Sequence, residues 1–241
     1  MTHPSSPNPS ANVDAAEVAK FEALAARWWD PHSEFRPLHE INPLRLDFID
    51  QRVTLAGKNV VDVGCGGGIL SEAMAARGAN VVGIDMGEAP LAVARLHLLE
   101  SELKVDYRRI AAEALAQQVP GSFDVVTCLE VLEHVPSPAS TIAACAALVR
   151  PGGHLFFATL NRNPKSYLFA IIGAEYVLGL LPKGTHEYGK FIRPAEMAGW
   201  LREVDLRLEE IIGMSYNPFT RRYSLGQDLD VNYLAYARRE G

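Results

Sequence analysis

Cysteine is scarce in this chain. Cys65, Cys128 and Cys145 are the only three, and no two stand in a C-x-x-C spacing. That excludes a disulfide framework and a thiolate metal site, and it fits free thiols in a reducing compartment. A surplus of base is missing too. The formal net charge is −6, with no basic tail or arginine stripe, so a nucleic-acid partner is excluded. The start, residues 1–12, is rich in Ser, Pro and Asn and carries no apolar core, so it reads as a disordered tail rather than a signal peptide. These absences together point to the cytoplasm. No apolar run reaches the ~20 residues needed to span a bilayer. The longest, Tyr167 to Leu181, has 15 residues with Glu175 inside it. No internal repeat or break in composition marks a second domain. What is present is 241 residues of 48% hydrophobic content, enough for one α/β core over 13–241.

Hydrophobic periodicity alternates between strand and helix. Asp14 caps a helix expected over 15–29, ended by Pro31, in which Trp28 and Trp29 read as ordinary packing. A second helix is expected to start at Asn42-Pro43, with Asn as cap and Pro in the first turn. Strands follow near 59–63, 80–84, 104–109, 123–128 and 153–160, with helices near 69–77, 88–101, 111–117 and 138–148 between them. Such alternation predicts a Rossmann-like, mostly parallel sheet with helices on both faces. An apolar helical stretch near 165–181, a helix near 194–202 and strands near 206–214 and 230–237 complete the pattern.

The densest signal is Asn59-Val-Val-Asp-Val-Gly-Cys-Gly-Gly-Gly-Ile69. An apolar strand carrying Asp62 runs into a loop with glycines at 64, 66, 67 and 68, which let a ligand approach the backbone. The next strand ends in Asp85, about 20 residues on, where a carboxylate can accept from ribose hydroxyls. A dinucleotide fingerprint would need Gly or Ala where Ile69 stands. A buried acid at 62 also sits badly against a pyrophosphate and well against an ammonium. S-adenosyl-L-methionine has an adenosine, an ammonium and no phosphate, and so fits where a nicotinamide dinucleotide does not. In open α/β sheets the ligand lies at the carboxyl ends of the strands. That edge selects Gly64, Gly66, Asp85, Glu113, Leu129, Glu130 and Asn161.

The chain resembles the class I S-adenosylmethionine-dependent methyltransferases. More narrowly it resembles the ubiquinone-biosynthesis O-methyltransferase family, from about Asn12 to the C-terminus. The segments that carry the narrower likeness include Val18-Ala-Lys-Phe-Glu22, Arg27-Trp-Trp-Asp30, Asn42-Pro-Leu-Arg-Leu46, Leu132-Glu-His-Val-Pro136, Thr159-Leu-Asn-Arg-Asn163, Gly173-Ala-Glu-Tyr176, Pro182-Lys-Gly-Thr-His186 and Asp230-Val-Asn-Tyr233. The resemblance implies a seven-stranded sheet with its last strand antiparallel, and methyl transfer to a phenolic hydroxyl of polyprenyl catechols. It implies cofactor contacts at Arg45, Gly64, Asp85 and Leu129. Arg45 alone would read as a solvated helix charge; the resemblance assigns it the methionine carboxylate. It also implies partners in a quinone-biosynthesis complex and contact with the inner-membrane surface.

Glu130, Glu133 and His134 stand at i, i+3 and i+4 and would share one face of a helix. Two readings stay open. The resemblance implies a Mg2+-type ion at this trio, which would lower the phenol pKa. Alternatively His134 acts alone as general base, and the acids cap or solvate the loop. The apolar stretch 167–181, flanked by Lys165 and Lys183, also has two readings: a buried core helix, or a surface that meets lipid or the prenyl tail. Rival functions are a nicotinamide oxidoreductase, a non-catalytic scaffold of a quinone-synthesis complex, and another O- or C-methyltransferase of the same fold.

Overall fold

A computed structural model describes residues 12–163, 166, 188–217, 220 and 222–241. The expected tail, except Asn12, and the apolar stretch 167–181 lie outside the described residues.

A parallel strand covered on both faces must be apolar on both. β1 (Asn59–Val63), β2 (Asn80–Asp85), β3 (Val105–Arg109), β4 (Phe123–Leu129) and β5 (Val149–Leu160) form the parallel part of the sheet. Alternate residues of these strands serve two separate cores. Val61, Val126, Leu155 and Phe157 face one side, with Leu115, Ile142 and Met197. Val60, Val125, Phe156 and Ala158 face the other, with Ile41, Ile49 and Met74. The first set packs under α5 (Ala112–Gln118), α6 (Pro138–Leu148) and α7 (Pro194–Glu203); the second under α2 (Arg36–Val53) and α3 (Ile69–Ala76). Two further helices, α1 (Ala15–Leu24) and α4 (Glu88–Ser101), lie beside the glycine loop, and Ala94 of α4 comes close to Gly68.

The sheet runs β3-β2-β1-β4-β5-β8-β6-β7, where β6 is Leu206–Asn217, β7 Arg222–Gly226 and β8 Asn232–Arg239. β8 pairs antiparallel with both β5 and β6, so the strand expected to reverse does so. The sheet has eight strands among the described residues, one more than the seven expected, because β7 pairs with β6 as an added edge.

Three boundaries differ from expectation. α1 ends at Leu24 and passes into a 3-10 turn over Ala25–Arg27, short of 29. α2 starts at Arg36 with Pro37 in its first turn, so Pro43 lies inside the helix rather than opening it. Pro37 offers the same pre-set φ and missing donor as Pro43, about 1.7 turns earlier. β5 begins at Val149, before Pro151-Gly-Gly, and the register with β4 shifts between Phe123 and Val125. Gly152 at φ +75 takes up that irregularity inside the strand instead of ending it.

Candidate active site

A cavity of about 850 Å³ opens at the carboxyl edge of the parallel strands. The glycine loop, Asp62, Asp85, Glu113, Leu129, Glu130, Glu133 and His134 all line it. Asn161, also selected from sequence, does not: it is buried and donates to the Leu229 carbonyl at 2.9 Å. Most of its remaining wall is apolar: Val18, Phe21, Leu24 and Trp28 come from the N-terminal segment, and Leu38 and Ile41 from α2.

The loop leaves β1 through Gly64, Gly66 and Gly68, all at positive φ. A side chain there would also collide: a Cβ at Gly64 would lie 2.1 Å from Val131, and one at Gly66 2.2 Å from the Trp28 ring. The glycines therefore admit protein side chains as closely as they would a ligand. Trp28 rests on Gly66 and Gly67, and the neighbouring Trp29 donates its indole N–H to the Gly67 carbonyl at 2.8 Å. The two tryptophans do pack, but onto this loop.

Two acids stand beside the loop. Asp62 is 3% exposed and accepts from Ser71 Oγ at 2.6 Å and Thr127 Oγ1 at 2.7 Å. Burial pushes its pKa up to about 6 despite those two bonds, and the Asp85 charge adds to the rise. Asp85 accepts from the backbone N–H of Gly66 at 2.9 Å and of Gly87 at 2.8 Å. Burial raises its pKa as well, against those backbone bonds. A carboxylate has about four lone-pair sites, so each Asp85 oxygen keeps room for a hydroxyl.

Arg45 on α2 is 5% exposed, not a solvated charge. Its Nη2 pairs with Glu130 at the end of β4, while its buried Nε has no hydrogen-bond partner among the described residues. Asn232 Nδ2 also donates to Glu130, at 3.0 Å. Leu129 closes β4 just before and packs against the α2 side of the core. Glu133 turns inward and accepts from Thr159 Oγ1 at 2.9 Å. Burial, then the Glu130 charge, pushes its carboxyl well above the usual range and favours the neutral acid. Glu113 Oε1 accepts from Asn12 Nδ2 at 2.7 Å, with Ser140 Oγ at 3.0 Å. It lines the cavity while tying down the N-terminal segment.

The trio does not share a helix face. Glu130 is left-handed at φ +56, and Leu132–His134 form a single 3-10 turn, so the expected helical spacing is broken. Glu130 and Glu133 stay in contact with each other, but each is also engaged elsewhere: Glu130 with Arg45 and Asn232, Glu133 with Thr159, while His134 turns to Glu17. Among the described residues, no three His, Cys, Asp or Glu side chains form a group that could hold a metal ion. As placed, the donors do not fit a divalent cation.

His134 Nδ1 lies 3.0 Å from Glu17 Oε2 on α1, and the Phe21 ring meets the imidazole edge-on at a centroid distance of 5.1 Å. Burial alone would raise the Glu17 pKa. Its bonds to Lys20, His134 and Lys190 outweigh burial and bring it to about 2. The N-terminal end of α1 is pinned by Asn12, which donates to Glu113, the Ser137 carbonyl and Thr141 and accepts from the Ser137 N–H. Glu17, Phe21, Trp28 and Asn12 were not among the site residues expected from sequence. Phe21 and Trp28 stood out only within the segments that carry the family likeness, and Glu17 only by its helical spacing to Phe21.

Comparison with known proteins adds the following. A family model described as a methyltransferase domain matches residues 33–211. The chain is 67% identical, over 230 residues, to the ubiquinone biosynthesis O-methyltransferase of Pseudomonas aeruginosa strain UCBPP-PA14, covering 95% of this chain and 99% of the relative. The protein of the same name from Stutzerimonas stutzeri strain A1501 matches with the same identity and coverage. Among solved structures, the chain is similar to magnesium protoporphyrin IX methyltransferase from Synechocystis PCC 6803 with bound SAH. The TM-score is 0.67 at 20% identity, over 92% of this chain and 95% of that one. That likeness shows a shared fold.

Proposed function

The chain belongs to the methyltransferase-domain family and, within it, to the ubiquinone biosynthesis O-methyltransferases, and from that membership we propose that it transfers the methyl group of S-adenosyl-L-methionine to a phenolic hydroxyl of a polyprenylated catechol. The observation that carries this reading is the single cavity that joins the glycine loop, Asp85 and His134. Asp85 accepts from the ribose hydroxyls through its remaining lone pairs. Asp62 faces the ammonium, Gly64 and Gly66 bring the backbone close, Leu129 walls the adenosine, and Arg45, on the cavity wall, supplies the cation for the methionine carboxylate. Glu113, also on the cavity wall, belongs to the same cofactor site.

A phenol of pKa ~10 keeps its proton at neutral pH, and a neutral oxygen is a poor nucleophile. His134 takes that proton as the oxygen attacks the methyl carbon. The sulfonium is the leaving group. Glu130 is paired with the Arg45 cation and Glu133 favours the neutral acid, an arrangement that does not suit Mg2+, so the proton step falls to His134. The test is turnover of labelled cofactor with a panel of prenylated catechols, with and without chelator. Turnover that survives chelation supports His134 as the base. Turnover lost to chelator and restored by magnesium puts the trio on a metal. No turnover with any catechol refutes the substrate class.

No helix among the described residues is long and apolar enough to cross a membrane. A polyprenyl tail partitions into lipid, and the apolar run 167–181 between Lys165 and Lys183 supports peripheral contact with the inner-membrane surface. Partners in a quinone-biosynthesis complex belong to the same proposal.

A further inference from the structure

Glu17 is an unusual residue to bury. It is 5% exposed, and three donors from three parts of the chain meet its carboxylate. Lys20 reaches Oε1 at 2.9 Å from the same helix, Lys190 reaches Oε1 at 3.2 Å from beyond β5, and His134 Nδ1 meets Oε2 at 3.0 Å. A helix that only needed anchoring would bury a leucine at lower cost, since a buried carboxylate loses its hydration. The two lysines hold the charge on the acid, and an ionised carboxylate can only accept. The proton of the Glu17–His134 bond therefore sits on Nδ1, which leaves the Nε2 lone pair as the ring's acceptor. Phe21, edge-on at 5.1 Å, fixes the ring plane from the same helix.

We infer that Glu17 is a positioning residue for His134: it selects the Nδ1–H tautomer and aims Nε2 at the substrate. The inference rests on the reading of His134 as the base. In the step it serves, the phenolic oxygen forms a bond to the methyl carbon and the carbon–sulfur bond breaks. The bond pair goes to sulfur, giving a neutral thioether, and the phenolic proton moves to Nε2. Glu17 then faces an imidazolium, whose proton passes to water before the next turnover.

The experiment compares Glu17→Gln, Glu17→Asp and His134→Ala with the full-length protein. Glu17→Gln should lower kcat about 10–100-fold with the S-adenosylmethionine Kd close to wild type, and should also lower the melting temperature, because the carboxylate's pairs with Lys20 and Lys190 are lost. Glu17→Asp, which keeps the charge, should recover part of that loss. Nitrogen-15 NMR of labelled histidine should show Nδ1–H at His134 in the wild type and a shift toward Nε2–H in Glu17→Gln. If Glu17→Gln keeps full kcat while His134→Ala loses it, Glu17 does not position the base and the base reading stands. If His134→Ala keeps full kcat, the base reading itself falls. A Glu17→Gln variant that loses kcat, cofactor affinity and melting temperature together, with no rescue by Asp, makes Glu17 a structural anchor and overturns the inference.

Discussion

Replacing Asp62 by Asn should make the cofactor-free protein more stable and a weaker binder. Asp62 is buried on β1 with a pKa of about 6, against an ordinary 3.8. The folded state thus holds this proton more tightly than the unfolded chain does, and stability falls as pH rises from about 4 to about 6. Each pKa unit is ~1.4 kcal/mol, so the ionised group costs the fold ~3 kcal/mol at neutral pH. Asn fills the same space, and the Ser71 and Thr127 hydroxyls can turn to accept from its amide. Part of the gain goes to that rearrangement, which leaves a net of ~1–3 kcal/mol, or a melting temperature higher by roughly 2–10 °C. Binding should move the other way. An interaction with a charged group is worth ~1.5–3 kcal/mol, so losing the partner of the ammonium should raise the S-adenosylmethionine Kd at least tenfold. The assays are urea unfolding of both proteins between pH 5 and 8 and calorimetry with the cofactor. The stability gap should widen by ~1 kcal/mol from pH 5 to 7 and then level. A gap that stays flat with pH would refute the buried-charge argument, and unchanged affinity would remove the ammonium from Asp62.

Other outcomes follow from the same geometry. Asp85→Ala should raise the cofactor Kd tenfold or more, measured by calorimetry, because the ribose hydroxyls lose a charged acceptor. Gly64→Ala should cost more than ~2 kcal/mol, since its Cβ would meet Val131 Cγ2 at 2.1 Å. Adding Val131→Ala should recover all but the ~1 kcal/mol of left-handed strain, and chemical denaturation of the double variant checks it. Ile171→Glu with Leu178→Glu should reduce sedimentation with vesicles and raise KM for long-tailed catechols more than for a short-tailed one. Equal loss on both substrates would return that run to a core role.

The parallel half of the fold was legible because its signals are local. Apolar runs such as Val60–Val61 and Val125–Val126, punctuated by glycine and an acid, are enough to place β1 to β4 and the ligand edge. What failed involved competing local signals or distant contacts. Pro43 looked like a helix start because Pro37 makes the same claim in a less regular context. The fifth strand was expected only from 153, although the pairing with β4 carries it back through Pro151-Gly-Gly to Val149. β7, five residues at the sheet edge, has too little apolar pattern to stand out. The helical spacing of Glu130, Glu133 and His134 misled, because Glu130 takes a left-handed backbone that no spacing rule reveals. Trp28 and Glu17 were hidden for another reason. Their partners lie 38 and 117 residues away, at Gly66 and His134, counted from the positions of these pairs in the chain.

α1 lines the cavity and also carries Glu17, which has a consequence for turnover. Residues Val18, Phe21 and Leu24 wall the space, while Asn12 pins the front of the helix to the far side. The helix that walls the cavity also holds the proposed base, so the shape of the binding space and the aim of His134 rest on the same ten residues. A substitution that shifts α1 should therefore alter KM and kcat together, where one in the glycine loop alters cofactor affinity first.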